Sequence, residues 1–330
     1  MSKLIVVTGA TGMQGSGVID ALSANADWKI RGVTRNLGSA KAQALAKRGI
    51  EMVAANLDDE DSLATAFVGA SAIFGVTDFY EPFATGIGPE KAMQIEYSRG
   101  VNMARAAAKT ATLETYFWST LPAAGQLTKG EVKVPHFDAK GEVDAYLKND
   151  PVLNPKTIFL LTGFYASNFD YPPFTPIYSK PAGQYILAVP ASASTYVPSL
   201  GPVTNIGVTV SGLLQHPYPT TASKPEGGRY VHVTTGKYQI QEYFSKWAEI
   251  AGKGNLQILS VPLEQFEGLH GIWGTELGLM VKFWEVAGAP RMWGTVGEGD
   301  VMVDARDLDG VKGRLVSAED SWKLVNWDHL

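Results

Sequence analysis

The chain has 330 residues, of which 45% are hydrophobic and 18% charged, and its formal net charge is −5. Because basic residues are not in excess, the composition does not indicate nucleic acid as a partner. It contains no cysteine, which excludes disulfides, thiolate nucleophiles and thiolate metal sites. It shows neither a secretory signal nor a window of roughly 18 apolar residues, so we expect a cytoplasmic protein with no membrane partner.

In the first half of the chain, predicted strands and helices alternate. The strands are predicted at 3–9, 28–35, 50–57, 71–78, 113–120 and 156–163. The helices are predicted at 13–25, 39–49, 58–70, 88–110 and 136–150. Apolar, β-branched strands that alternate with helices are typical of parallel βαβ units with right-handed crossovers. The pattern therefore predicts the α/β class with a doubly wound parallel sheet, in which ligands bind beyond the carboxyl ends of the strands.

The second half of the chain has a different composition. Residues 164–183 are rich in proline and aromatic residues and have no period, which predicts a long ordered loop of the kind that often carries function. The elements predicted after it are helices at 201–215, 238–252 and 275–288 and strands at 229–236 and 255–262. We assign residues 1–163 to the doubly wound domain and residues 164–330 to a smaller α/β lobe on the substrate side, interleaved with the sheet.

A glycine-rich stretch, VVTGATGMQGSGV at 6–18, joins the first strand to the first helix. Gly9 permits the tight turn, Gly12 lets the backbone approach a pyrophosphate, and Gly15 allows the helix to pack against the strand. The helix N-terminus then presents free N–H groups and a positive dipole end to the phosphates. A lone glycine motif is weak evidence, but this one has the expected strand–helix context. Residues 1–163 are therefore predicted to form a dinucleotide-binding Rossmann domain.

The end of the second strand distinguishes between nucleotides. An NAD site has an Asp or Glu there for the ribose hydroxyls, whereas this chain has Thr34, Arg35 and Asn36. Arg35 can fork onto a 2′-phosphate, and Lys41 is near enough in sequence to add charge. The alternative is that Arg35 is a solvated surface arginine. Its position favours NADP(H) as the cofactor.

The ends of the third and fourth strands supply further candidates for the cofactor site. These are Asn56, Leu57, Asp58, Thr77, Asp78 and Phe79. The first three follow the third strand, where an adenine ring would lie, although Asp58 is equally well placed as a helix N-cap. The last three follow the fourth strand and are expected to border the pyrophosphate and the nicotinamide ribose.

Several stretches resemble the NmrA-like family of atypical short-chain dehydrogenases/reductases. They are VTGATGMQGSGV at 7–18, VTRN at 33–36, ANLDDEDSL at 55–63, VTDFYE at 76–81, HFDAKGEVDAYL at 136–147 and LTGFYASNF at 161–169. Taken together, these stretches are far more specific than the glycine motif. The resemblance runs through roughly the first half of the chain and into the loop after residue 163, and the rest of the chain is similar only in general.

The resemblance implies roles at the matching positions. The residues that would wrap the pyrophosphate are Gly9, Ala10, Thr11, Gly12, Met13 and Gln14. Arg35 would meet the 2′-phosphate, and residues 77–79 would line the cofactor. Lys140 would bond the nicotinamide ribose. Tyr165 and Asn168 would lie beside the nicotinamide and face the substrate.

The catalytic residues of the short-chain reductases are only partly present. Those enzymes use Tyr-x-x-x-Lys on a helix, with a Ser ending the preceding strand. Here Lys140 is kept, His136 replaces the Tyr on the same helix face, and Ser119 lies near the position of the Ser. His136 can donate a proton near neutral pH and so replace the Tyr as the acid. The alternative is that His136 only packs near the start of the helix.

Aromatic residues of the 164–183 loop are further candidates. Tyr165 and Tyr171 are alternative acids, and Phe164, Phe169 and Phe174 lie around them in sequence. Core packing is the favoured interpretation for each phenylalanine, but as a set they indicate an apolar pocket for a planar or aromatic substrate. Three tryptophans could cover that pocket, with core packing again favoured. These are Trp273, Trp284 and Trp293.

The remaining histidines do not indicate a metal site. They are His216, His232, His270 and His329. They are scattered and lack metal-ligand spacing, so we interpret them as structural or surface residues.

Two functions fit this sequence. The first is an NADPH-dependent reductase that transfers hydride to a C=C, C=O or C=N bond of a small, apolar or aromatic molecule. The second is a non-catalytic NADP(H)-binding sensor that acts through a protein partner, since the resemblance includes regulators and the Tyr is replaced. The retained Lys140 and the aromatic loop favour the enzyme.

Overall fold

Strands and helices alternate along most of the chain. The protein is described by a computed structural model that covers residues 2–218, 227–297 and 299–330. Its strands are β1 (Lys3–Val7), β2 (Trp28–Thr34), β3 (Glu51–Ala54), β4 (Ala72–Gly75), β5 (Thr115–Thr120), β6 (Thr157–Thr162), β7 (Phe164–Tyr165), β8 (Ile177–Ser179), β9 (Gln184–Val189), β10 (Tyr196–Gly201), β11 (Arg229–Val233), β12 (Gly236–Gln239), β13 (Leu256–Ser260) and β14 (Val301–Asp304). Its helices are α1 (Met13–Leu22), α2 (Ala40–Lys47), α3 (Glu60–Phe67), α4 (Tyr80–Phe83), α5 (Pro89–Ala108), α6 (Ala124–Leu127), α7 (Pro135–Asn149), α8 (Thr204–Gln215), α9 (Ile240–Ile250), α10 (Leu263–His270), α11 (Ile272–Arg291) and α12 (Ala318–Trp322).

Eight strands form one parallel sheet in the order β14-β11-β6-β5-β4-β1-β2-β3. The chain winds outward from β1 through β2 to β3 and then returns to β4 on the other side of β1. This reversal places a topological switch point between β1 and β4, at the carboxyl ends of the strands. The predicted α/β fold with a doubly wound parallel sheet is confirmed.

The sheet separates two apolar cores because successive side chains of a strand point to opposite faces. In β1, Ile5 and Val7 pack in the core under α1 and α8, whereas Val6 packs in the core under α3, α5 and α7. Helices α1 and α8 cross closely, since a Cβ at Gly207 would overlap the carbonyl oxygen of Gly17. Both faces of the sheet are therefore covered, which explains its runs of apolar strands.

The second half of the chain contains elements that the sequence pattern missed. The segment 164–183, predicted as a loop, contains β7 and β8, and the strands β9, β10 and β14 and the helices α10 and α12 were not predicted. These strands are two to six residues long and mix polar with apolar residues, so they carry almost no period. The predicted strand at 229–236 corresponds to β11, which ends at Val233 and extends the main sheet. A separate strand, β12, begins at Gly236, pairs with β10 and occupies the first two positions of the helix predicted at 238–252.

A buried carboxylate ties three elements of the fold together. Asp144 on α7 accepts hydrogen bonds from Trp118 Nε1 at 2.8 Å and Thr120 Oγ1 at 2.7 Å on β5, and from the Tyr230 hydroxyl on β11 at 3.1 Å. Burial raises the pKa of Asp144 to about 7. The native state therefore holds this proton more tightly than the unfolded chain, in which an aspartate titrates near ~3.9.

Asp144 is expected to make the stability of the protein fall as the pH rises. Its stabilising effect is complete below the unfolded pKa of ~3.9 and is lost as the pH rises through about 7. Asp144→Asn keeps an acceptor oxygen and cannot ionise, so it should remove this part of the pH dependence. Urea unfolding between about pH 4.5 and about pH 8 measures it, with an expected difference of a few kcal/mol, at ~1.36 kcal/mol per pKa unit. An unchanged slope in the variant would assign the effect to other groups.

Candidate functional site

A cavity of about 630 Å³ lies at the carboxyl ends of β1, β2, β4 and β6 and is bounded on the far side by α11. The predicted site residues that line it are Gly9, Thr11, Gly12, Met13, Gln14, Gly15, Arg35, Asn36, Asn56, Leu57, Thr77, Asp78, Phe79, His136, Lys140, Tyr165 and Asn168. They come from six separate stretches of the chain, which the parallel sheet brings to one edge. This cavity is the candidate site.

Two predicted site residues are buried beside the cavity without lining it. Ala10 is fully buried in the glycine loop between β1 and α1, near Gly32. Ser119 is 1% exposed on β5, next to Thr120. Phe117, two residues before Ser119, packs toward α1 and α8. Since side chains alternate along a strand, Ser119 shares that face, whereas Thr120 shares the α7 face and bonds Asp144.

Asp58 does not line the cavity, and its predicted alternative role as an N-cap is wrong. The N-cap of α3 is Asp59, which accepts from the backbone N–H groups of Asp61 and Ser62. Asp58 instead accepts two hydrogen bonds from Arg99, from Nε at 2.8 Å and from Nη2 at 3.0 Å. The hydrogen bond from Arg99 lowers the pKa of Asp58, so its carboxylate stays charged.

The glycine loop has the geometry of an anion site. Gly9 has a positive φ of 59°, which favours glycine. Gly12 is the N-cap of α1 in an extended conformation and offers no capping side chain. The first N–H groups of the helix therefore lack intrahelical partners and lie at the positive end of the helix dipole. A Cβ at Gly15 would overlap the Gly9 carbonyl oxygen, so the loop depends on glycine there.

Two guanidinium groups line the cavity, each paired with a carboxylate. Arg35 Nη1 donates to Glu81 Oε1 at 2.5 Å. Arg99 Nη1 donates to Glu81 Oε2 at 3.3 Å, and its other nitrogens bond Asp58. Arg99 and Glu81 both line the cavity. Sequence reasoning missed them because they lie on α5 and α4, outside the strand ends that it searched.

Lys140 is held by a buried acid and a threonine. Its ammonium lies 2.9 Å from Glu96 Oε1 and donates to Thr77 Oγ1 at 2.8 Å. Thr77 Oγ1 in turn donates to Glu96 Oε1 at 2.7 Å. Glu96 is fully buried and Lys140 is 7% exposed. The carboxylate balances the ammonium, as a buried charge requires, and it fixes the position of Lys140 at the cavity wall.

His136 forms a buried dyad with an acid from the second half of the chain. Its Nδ1 lies 2.5 Å from Glu276 Oε1, and the same oxygen accepts the backbone N–H of His136 at 3.0 Å. Glu276 is 1% exposed and His136 is 4% exposed, and the imidazole lines the cavity. A carboxylate on one ring nitrogen orients the imidazole and leaves Nε2 for a ligand. Sequence reasoning missed Glu276, although it is the one acid in the apolar stretch 272–281.

Tyr165, the other predicted acid, has a different environment. Its hydroxyl accepts from Gln14 Nε2 at 2.7 Å. Burial raises the pKa of Tyr165 to about 12. The hydroxyl is therefore protonated across the neutral range and is matched less well to proton transfer near pH 7 than an imidazole.

Aromatic side chains form the wall of the cavity beyond His136. Trp273, Leu277, Met280 and Trp284 recur at helical spacing on α11, and all four line the cavity. The remaining aromatic residues of this wall are Phe79, Tyr80, Phe137, Phe164, Tyr171, Phe174 and Trp293. Phe169 does not belong to the wall, because it stacks on Trp247 in the core with ring centroids 4.3 Å apart. The three tryptophans all reach the cavity, and core packing, which was the favoured interpretation, is confirmed for Trp284 and Trp293.

The part of the chain that the structure describes was compared with the requirements of a metal site and of a membrane-spanning helix. Within residues 2–218, 227–297 and 299–330, His, Cys, Asp and Glu side chains form no group of three or more that could hold a metal ion. Burial lowers the pKa of His232 to about 3, so this histidine is neutral at physiological pH. None of the described helices is long and apolar enough to cross a membrane.

Comparison with sequence families and curated proteins gives one consistent result. A model of the NmrA-like family matches residues 1–291. An NmrA-like family domain-containing oxidoreductase, hkm9 of Aspergillus hancockii, is 29% identical over 54% of this chain and 51% of its own length. The chain thus matches about half the length of that relative. The oxidoreductase lnaB of Aspergillus flavus is 25% identical over 98% of this chain and 95% of its own length.

Solved structures share the fold over nearly the whole chain. Nmra, a negative transcriptional regulator solved in complex with NAD, superposes with a TM-score of 0.73 at 19% identity, covering 98% of this chain and 95% of that one. The triphenylmethane reductase of Citrobacter sp., complexed with NADP(H), superposes with a TM-score of 0.65 at 17% identity, covering 98% and 99%. At these identities the likeness is one of fold.

Proposed function

The chain belongs to the NmrA-like family, and from this premise we propose that it is an NADPH-dependent reductase of a small, apolar or aromatic molecule. The observation that carries the proposal is the His136–Glu276 dyad, which presents an oriented imidazole to an aromatic cavity beside the glycine loop. Relatives named as oxidoreductases support the reaction class. Fold neighbours solved with NAD or NADP(H) support the cofactor class.

The residues of the cavity fit a dinucleotide. The loop of Gly9, Gly12 and Gly15 and the first N–H groups of α1 would hold the pyrophosphate. Asn56 and Leu57 would border the adenine, and Arg35 would hold the 2′-phosphate. The residues that would line the nicotinamide half are Thr77, Asp78, Phe79, Lys140, Tyr165 and Asn168.

In the proposed reaction the cofactor, when bound, supplies the hydride, and the protein supplies orientation and a proton. His136 donates that proton from Nε2, because Nδ1 is engaged by Glu276. Glu276 holds the ring in place through its contact with Nδ1. Lys140 serves as a binding group, since Glu96 already balances its charge.

The aromatic wall defines the proposed substrate class. Trp273, Trp284 and Trp293 together with Phe164 and Phe174 contribute aromatic surface to the lining of the cavity. Such a surface favours a planar hydride acceptor with few charges, whose developing negative charge lies near His136. We therefore propose a conjugated C=C, C=O or C=N bond as the group reduced.

The direct test is a titration of the purified protein with NADPH, NADP⁺, NADH and NAD⁺, followed by addition of aromatic enones, aldehydes and imines. Selective binding of the 2′-phosphorylated cofactors with consumption of NADPH is the expected result. Equally selective binding with no consumption across the panel would favour a sensor that acts through a partner protein. No binding of any of the four nucleotides would overturn the proposed function.

Arg35→Asp is expected to weaken NADPH binding about ten- to a hundredfold and to leave NADH binding within a few fold. The reason is that charged hydrogen bonds to the 2′-phosphate are lost, whereas NADH has none there to lose. Isothermal titration with both nucleotides measures the two changes. Arg48→Asp is the matched control, since Arg48 pairs with Asp20 outside the cavity. Equal losses for NADPH and NADH would remove Arg35 from the 2′-phosphate site.

A further inference from the structure

We propose that Glu81 determines nucleotide selectivity by competing with the 2′-phosphate for Arg35 and Arg99. Its carboxylate is an internal counter-anion for the two guanidinium groups, so it limits the preference for NADP(H) over NAD(H). The inference rests on the proposed function, because it assumes that the adenosine end of a dinucleotide lies between these side chains.

The geometry places one carboxylate between two cations. Glu81 Oε1 accepts from Arg35 Nη1 at 2.5 Å, and Oε2 accepts from Arg99 Nη1 at 3.3 Å. All three side chains line the cavity. Arg99 is the less available of the two arginines, since Asp58 binds its Nε and Nη2. Arg35 is 59% exposed and has Glu81 as its ion-pair partner in the described structure.

The charge balance explains why a 2′-phosphate would meet resistance. Arg35 and Arg99 carry two positive charges, and Glu81 and Asp58 carry two negative charges, so the cluster is neutral. A phosphate that binds Arg35 must either displace the Glu81 carboxylate or be repelled by it at close range. A Glu→Gln change at position 81 leaves one positive charge uncompensated. The site would then attract a phosphate.

The Glu81 carboxylate would affect NADH binding in the opposite sense, by favouring it. Its adenosine ribose carries a 2′-hydroxyl, which is a neutral hydrogen-bond donor. A carboxylate in this place can accept a hydrogen bond from that hydroxyl, as the acidic residue at the end of the second strand does in NAD sites. Here that strand ends at Thr34 and is followed by Arg35, and Glu81 brings the acid from α4 instead.

Packing fixes the part of the backbone that carries Glu81. Phe79 and Phe83 stack with ring centroids 5.3 Å apart. Tyr80 packs on His136 at 5.2 Å and on Trp273 at 5.8 Å. The backbone of α4 is therefore anchored in the aromatic wall, and the Glu81 carboxylate starts from a defined place beside Arg35. Its effect on a phosphate should be specific, unlike that of an unanchored surface acid.

The test compares wild type with Glu81→Gln by titration with NADPH, NADH, adenosine 2′,5′-diphosphate and 5′-AMP. The last two ligands isolate the 2′-phosphate from the nicotinamide half. The variant should bind NADPH and adenosine 2′,5′-diphosphate about tenfold more tightly, as expected for removal of a like charge near a protein surface. It should bind NADH and 5′-AMP equally or less tightly. The gain should shrink at high salt.

Glu51→Gln is the matched control, because Glu51 pairs with Arg31 at 2.9 Å at the opposite end of β3 and should leave all four affinities unchanged. Weaker NADPH binding in Glu81→Gln would overturn the inference and make Glu81 a residue that orients Arg35. Equal shifts for phosphorylated and unphosphorylated ligands, or no shift, would also overturn it. If the wild type binds none of the four ligands, the proposed function itself fails, which separates the two failures.

Discussion

His136→Ala is expected to slow NADPH consumption by about 10²–10⁴-fold, the range for loss of a general acid, with an unchanged dissociation constant for NADPH. The imidazole lines the cavity and its Nδ1 is held 2.5 Å from Glu276 Oε1, so Nε2 is the atom available for the substrate. Steady-state kinetics with a substrate from the panel and a separate NADPH titration measure the two quantities. A loss confined to kcat and kcat/KM is the mark of an interaction made in the transition state.

The controls for this prediction separate proton transfer from packing. His216→Ala removes an exposed histidine at the end of α8 and should leave turnover unchanged. Full turnover in His136→Ala would remove His136 from the mechanism. A comparable loss of NADPH affinity would indicate instead that the imidazole mainly supports the cavity wall, where it packs on Tyr80 and Phe137.

Glu276 is expected to act through His136 as a positioning residue. Glu276→Gln should lower kcat with little change in the KM for NADPH, since the carboxylate lies behind the imidazole. The double variant Glu276→Gln with His136→Ala should be no slower than His136→Ala alone, because the effects of substituting two residues that act as a unit do not add. A further loss in the double variant would show that Glu276 also has a separate role, such as capping α7 through the His136 backbone N–H.

Gly15→Ala is expected to weaken NADPH and NADH binding equally, by about a hundredfold, and to lower the melting temperature. The added Cβ would overlap the Gly9 carbonyl oxygen and lie 2.6 Å from the Gly9 carbonyl carbon and 3.0 Å from the Ala10 Cα. All three atoms belong to the backbone, so the loop must move to accommodate the methyl group. Overpacking of this kind costs about 1–3 kcal/mol. The loop relieves this strain by moving out of its binding conformation, so a bound nucleotide must restore it, and each 1.4 kcal/mol lost in this way is about tenfold in affinity.

The matched control is Gly268→Ala in α10. No atom lies within 4 Å of a Cβ at that position, and alanine is the better helix former by roughly 1 kcal/mol. The control should therefore bind both nucleotides normally and melt at the same or a higher temperature. Retention of full affinity in Gly15→Ala would show that the nucleotide does not depend on the backbone of this loop. Selective loss of NADPH alone would contradict the role that we propose for the glycines, since the 2′-phosphate is assigned to Arg35.

Local patterns in the sequence determined the class of fold and the order of the six strands and five longer helices of the first half, although they did not predict the short helices α4 and α6. Six apolar strands alternating with helices predict a parallel sheet because each βαβ unit must bury both faces of its strand. The glycine spacing and Arg35 at the end of β2 lie within single βα turns. Residues that are neighbours in the chain are therefore enough to predict the edge of the sheet at which the cavity lies.

The tertiary structure alone decided which side chains meet at that edge. Glu276 is 140 positions from His136, and Glu81 is 46 positions from Arg35. No local period records such pairs, because each partner is selected by how α4, α7 and α11 pack after the chain has folded. Strand alternation alone places Ser119 and Thr120 on opposite sides of the sheet, but the partner of Thr120, Asp144, was selected by the packing of α7. The same reason applies to β14, a strand that the sequence did not predict and that pairs with β11 at the edge of the sheet.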